Sequence, residues 1–121
     1  MNSRQKGKRG ELEAAKVLRD LGFSDVRRSV QYNGQAEDGQ PDLVGIPGVH
    51  IEVKRNERLN VNEAMDQARR DCNGIGVPIV LHRKNNTSWL VTMDVKDWAE
   101  LQRFYRYKLE AVEKMLGLKE E

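Results

Sequence analysis

An α/β fold, with a single mixed sheet flanked by helices, is what this 121-residue chain predicts. Two observations carry that prediction. Apolar residues recur at helical spacing in three separate stretches, and short runs of Val, Ile and Leu bounded by Gly, Pro and Asn lie between them. The stretches follow one another as helix, three strands, helix, two strands, helix (αβββαββα). A sheet covered by helices is the arrangement that buries both kinds of apolar face.

The first helix is expected from about Gly10 to Leu21, where Ala14, Ala15, Leu18 and Leu21 share a stripe and Gly22 follows as a stop. Glu11 falls on that stripe, whereas Glu13 faces the other way. An acid there either complements the positive end of the helix dipole or serves a site on the inner face. Phe23 to Val30 reads as a strand with Val26 inward. Gln31 to Gln40, with Asn33-Gly34 and Asp38-Gly39, reads as a loop. Leu43-Val44 and Val49-Ile51-Val53 are two short strands around a Gly/Pro turn. Asn60, three residues before Glu63, predicts a capped helix start. Its stripe is Val61, Ala64, Met65, Ala68 and Cys72, and Asn73-Gly74 is its stop.

Val77 to His82 and Trp89 to Met93 are the last two strands, joined by a turn whose Asn85-Asn86 pair accepts left-handed backbone. Pro78 belongs at the start or edge of its strand. The last helix, over about 94 to 117, begins at Asp94 or Asp97. It carries Trp98, Leu101, Tyr105, Leu109, Val112 and Met115/Leu116 as a stripe whose aromatics are expected in the core, as is Trp89; with Phe104 and Tyr107 its apolar residues fall on more than one face, which makes it a candidate dimer surface. The chain is expected to be one domain over 1 to 121.

Charged residues make up 33% of the chain and hydrophobic ones 38%, with a net charge of +2. That balance suits a charged globule, and no apolar run approaches a membrane span or a secretory signal. Cys72 is the only cysteine, which excludes an internal disulfide and a cysteine-rich zinc site and suits a reducing, cytoplasmic setting. No membrane partner and no organic cofactor are expected. Cationic residues gather in the first three-quarters, where Lys6, Lys8, Arg9, Arg27, Arg28, Arg55, Arg58, Arg83 and Lys84 are candidates to follow a phosphate backbone or to form solvated faces.

Pro41-Asp42, then Glu52-Val53-Lys54 after a Gly/Pro turn, is the part of the chain with the clearest chemistry. Residues two apart on a strand share a face, so His50, Glu52 and Lys54 project together while Val49, Ile51 and Val53 face an apolar layer. Two acids can hold a magnesium ion against a phosphate, with the Val53 carbonyl a candidate third ligand. A lysine beside them can stabilise the charge that develops in phosphodiester hydrolysis. His50 and His82 have no cysteine or histidine at metal-ligand spacing, and ordinary strand residues are the simpler reading, although His50 shares the face of Glu52.

In these residues the chain resembles the PD-(D/E)xK nuclease superfamily. It is most similar to the small phage-type and Holliday-junction-resolvase-like endonucleases, whose Lys-Gly-x-x-Gly-Glu start is matched by Lys6-Gly7-Lys8-Arg9-Gly10-Glu11. The likeness covers about residues 6 to 93. It implies a restriction-endonuclease-like core, Mg2+ or Mn2+ dependence, DNA as substrate and a homodimer, in host cytoplasm if phage-encoded. It further implies Glu11, Asp42, Glu52 and Lys54 as the active-site set, with Glu11, Asp42, Glu52 and Val53 toward the metal. Gln67 either corresponds to a glutamine that some branches use on the second helix or simply faces solvent. A non-catalytic DNA-binding protein on the same fold, or a sequence-specific restriction-type nuclease, are the alternatives.

Overall fold

The computed structural model describes residues 2–29 and 39–118. Its elements are α1 (Ser3–Asp20), β1 (Arg27–Arg28), β2 (Leu43–Val44), β3 (Val49–Arg55), α2 (Val61–Cys72), β4 (Val77–Arg83), β5 (Leu90–Met93) and α3 (Val95–Met115). This is the predicted order. The five strands form one sheet in sequence order, antiparallel except between β3 and β4, which α2 connects as a parallel pair.

Two boundaries differ from expectation. α1 begins at Ser3, with the Asn2 side chain accepting the Gln5 N–H at 2.9 Å. Its first turns are rich in Lys, Arg and Gln, which favour helix without an apolar stripe, so periodicity alone does not reveal them. The strand expected over Phe23 to Val30 contracts to Arg27–Arg28, because Phe23 is held in the turn after α1 by its N–H bond to the Leu18 carbonyl. Val30 and positions 31–38 of the expected loop lie outside the described residues.

Alternation along the strands fills both faces of the sheet. Ile51 and Val53 of β3, with Leu43 and Leu81, pack against Ala14 and Ala15 of α1, and Trp89 joins that cluster as expected. On the other face Val80 packs against Ala64, Met65 and Ala68 of α2. α2 begins as predicted, with Asn60 accepting the Glu63 N–H at 3.1 Å, and ends at a left-handed Asn73. Cys72 is buried. In the turn between β4 and β5, Asn86 takes the left-handed backbone.

Two glycines fix close approaches. A Cβ at Gly10 would lie 2.8 Å from the Arg55 Cβ, so α1 rests directly on β3. Gly45, at φ +113°, places its backbone where a Cβ would lie 2.3 Å from the Asp25 carbonyl oxygen.

α3 departs from expectation. None of its residues is buried, and Trp98, expected in the core, is 51% exposed. The stripe itself is as read. Both faces of the sheet are already covered by α1 and α2, so the stripe has no apolar face of its own chain left to cover. Asp94 starts the helix, but its carboxylate caps none of the N–H groups there and pairs instead with Arg69 of α2.

Candidate active site

Asp42 stands just before β2, and its backbone N–H is tied to the Ile51 carbonyl at 2.8 Å. Its Oδ2 accepts the Val53 N–H at 2.7 Å. This contact fixes the carboxylate across the hairpin, beside β3. Glu52, the next inward residue on that strand, is only 3% exposed and in hydrogen-bonding contact with Asp42. On its other side Glu52 Oε1 lies 2.9 Å from His50 Nε2. Lys54 follows on the same face, and its Nζ donates to Gln67 Oε1 at 3.0 Å.

Glu11 reaches Asp42 from α1, which the bare Gly10 allows to approach β3. Its Oε2 accepts from Arg28 Nε at 2.8 Å. Glu11, Asp42, Glu52 and Lys54 are therefore brought together, and Gln67 turns to Lys54 rather than to solvent. Asp71 was not singled out by the sequence reading. One helical turn beyond Gln67 on α2, it touches Glu52, and the ligand atoms of His50, Glu52 and Asp71 all lie within 4.8 Å of one another. The i, i+4 spacing from Gln67 was its one sequence signal.

Crowding of carboxylates in a buried place sets the electrostatics. Burial, then the charge of Glu52, pushes Asp42 up to about 6 despite the Val53 N–H. Burial pushes Glu52 up to about 7, with the Asp71 carboxylate adding to the effect and the Asp42 contact and Lys54 opposing it. Glu11 is raised by burial, against the lowering effect of Arg28. Burial lowers His50, which favours its neutral imidazole. Asp42, with Glu11 to one side and Glu52 to the other and Lys54 beyond, forms a row of hard oxygen donors whose repulsion a divalent cation would relieve.

The predicted cations take different places. Arg58 and Arg70 line a cleft with Lys54 and Gln67, and Lys8 and Arg28 line another with Glu11. Lys6, Arg9 and Arg55 line a third, against Glu13 and Asn85. Arg27 donates to the Asp25 carbonyl at 2.9 Å, and Lys84 is exposed. Arg83, at the end of β4, turns to Glu13 and the Thr87 carbonyl.

A sheet with helices on both faces, an aspartate before one hairpin strand, Glu-x-Lys on the next and a helix-borne glutamate define the class of PD-(D/E)xK nucleases. The chain belongs to the family described as "Phage putative PDDEXK endonuclease", whose model matches residues 2–116. No curated protein matches it. Among solved structures it is similar to Archaeoglobus fulgidus Hjc, a Holliday junction resolvase from an archaeal hyperthermophile. The two share 22% identity and a TM-score of 0.54, over 72% of this chain and 76% of that one. At that identity the likeness establishes the fold. Among the described residues no helix is long and apolar enough to cross a membrane.

Proposed function

We propose that this nuclease is a Mg2+- or Mn2+-dependent DNA endonuclease selective for branched DNA, acting as a homodimer. The observation that carries the reading is the contact chain Glu11, Asp42, Glu52, with Lys54 held at its end by Gln67. Asp42 and Glu52 would hold the metal, with Glu11 and the Val53 carbonyl completing the protein's share. Once bound, a divalent cation activates the attacking water and offsets charge on the scissile phosphate.

The chain's own groups do the rest. Lys54 presents its ammonium beside that phosphate, and Gln67 orients Lys54, leaving donors on Nζ for a phosphate oxygen or the attacking water. The Val53 N–H holds Asp42 in one orientation before anything binds. Arg58 and Arg70, interleaved with Glu63 and Asp66, line one cleft with Lys54, and Lys8 lines another near Glu11, so cations lie on both sides of the acids for a phosphate backbone to follow. The fold shared with a junction resolvase supports branched substrates. Paired sites in a homodimer suit cleavage of two strands.

The test is a panel of labelled linear duplex, single strand, flap, nick and four-way junction with Mg2+, Mn2+ or chelator. Flap or junction is expected to be cut, only with metal. Lys54→Ala and Asp42→Ala are expected to lose activity by about 100-fold or more while staying folded. Wild-type rates in both variants would refute the site. Cutting of linear duplex at one fixed sequence would move the enzyme to the restriction type, and no cutting of any substrate would refute a nuclease role.

A further inference from the structure

α3 carries a pattern that its own chain leaves unused. Trp98, Tyr105 and Val112 occupy the first position, and Leu101, Lys108 and Met115 the fourth, of three successive seven-residue blocks. The apolar members are open to solvent, from 42% exposed at Val112 to 85% at Met115. Positions flanking this seam are Gln102, Phe104, Leu109, Ala111 and Leu116, with Asp97 at its start the one acid, while Glu100, Arg103, Arg106 and Glu110 lie away from it.

The area is sufficient for a partner. Trp98, Phe104 and Tyr105, at 51–68% exposed, offer on the order of 300–450 Å² between them. With Leu101, Leu109, Val112, Met115 and Leu116 added, the stripe comes to roughly 800 Å², the share of one partner in a stable interface.

We propose that a second copy of this chain covers the stripe, with the two α3 helices packed antiparallel. The proposal rests on the homodimer reading above and deepens it by assigning the surface and its polarity. Lys108 decides the direction. In a parallel pair, equal positions meet across the axis, and Lys108 would face Lys108 of the second copy between apolar layers. In an antiparallel pair, first positions meet fourth positions. Trp98 then lies opposite Met115, Leu101 opposite Val112, and Tyr105 opposite Lys108. The ammonium of Lys108 meets an aromatic face instead of a like charge. At the flanks Gln102 approaches Leu109 and Phe104 approaches Ala111, so no like-charged pair is created.

Sedimentation velocity on the full chain at micromolar concentration tests the surface, and cysteine cross-linking tests its polarity. The wild type is expected to be a dimer. Leu101→Asp should weaken self-association by about 100-fold or more, with helicity retained because α3 contributes nothing to the buried core. Leu101→Cys mixed with Val112→Cys should form an intermolecular disulfide. Neither variant alone should do so, since equal positions are displaced by about 16 Å along an antiparallel seam. Cys72 is buried in every case. A monomeric wild type, a dimer untouched by Leu101→Asp, or self-cross-linking of Leu101→Cys would each overturn the proposal. Cleavage of the substrate panel is scored separately: a monomer that cuts overturns only this seam, and an antiparallel dimer that does not cut overturns only the nuclease reading.

Discussion

α1 and α3 are the two long helices of the molecule and both carry an apolar stripe, yet one is built into the core and the other stands clear of it. Their residues explain the difference. The inner face of α1 is Gly10, Ala14 and Ala15, small enough for its backbone to rest on β3 and bring Glu11 to Asp42. The stripe of α3 is Trp98, Leu101, Tyr105, Val112 and Met115, whose bulk holds an approaching surface at a distance. Small side chains dock a helix closely enough to place a catalytic group; large ones offer area to a partner. An apolar stripe by itself does not say which.

The largest expected effect is from Ala14→Glu, which places an unpaired carboxylate between α1 and the sheet. A loss of more than about 4 kcal/mol in denaturant unfolding, enough to unfold a marginal domain, is expected. The corresponding Leu101→Glu on α3 should leave hydrogen-exchange protection of β3 and β4 at the wild-type level. If Leu101→Glu also exposes the sheet, the two helices are not distinct in the way described.

Next in size is the dependence of metal-free stability on pH. Asp42 and Glu52 titrate near 4 when unfolded but at about 6 and about 7 in the native protein, so between those limits the native state holds more protons. Stability should therefore fall as pH rises from about 4 to about 7, by several kcal/mol in total. Mn2+ should restore most of the loss above pH 7, because the cation binds the ionised acids. Thermal melts at pH 5 and pH 8, with and without Mn2+, measure both effects. A metal-free protein that gains stability over this range contradicts the packing of the acids.

The smallest effects are expected within α1 itself. Gly7→Ala adds a Cβ into open space and should stabilise the helix by about 0.5–1 kcal/mol. Gly10→Ala, with the same propensity gain, drives its Cβ against Arg55 and should lose stability and slow cleavage by shifting Glu11. Equal behaviour of the two variants would show that the close approach is not needed.

Much of the site was legible because local rules fix it. The period of a strand places Glu52 and Lys54 on one face, the helical stripe brings Glu11 inward, and a capping asparagine marks the start of α2. What was not legible depends on tertiary geometry. Gln67 was reached only through the family resemblance and Asp71 not at all, because both join the site where α2 lies across the face of β3. The extent of β1 depended on how the chain leaves α1. For α3 the core expectation failed and the reading as a candidate dimer surface stayed open, because periodicity reports that a face is apolar and is silent about which chain covers it.

β1 has a further consequence, for self-association through the sheet. A five-stranded sheet has two open edges, and an unpaired edge strand is a template on which other chains can polymerise. At one edge the described strand is only two residues long and both are arginines, Arg27 and Arg28. A second copy arriving edge to edge would meet the exposed Arg27 and, among the described residues, a ladder of two residues. Arg27 thus discourages fibre growth at that edge, while Arg28 beside it is turned to Glu11.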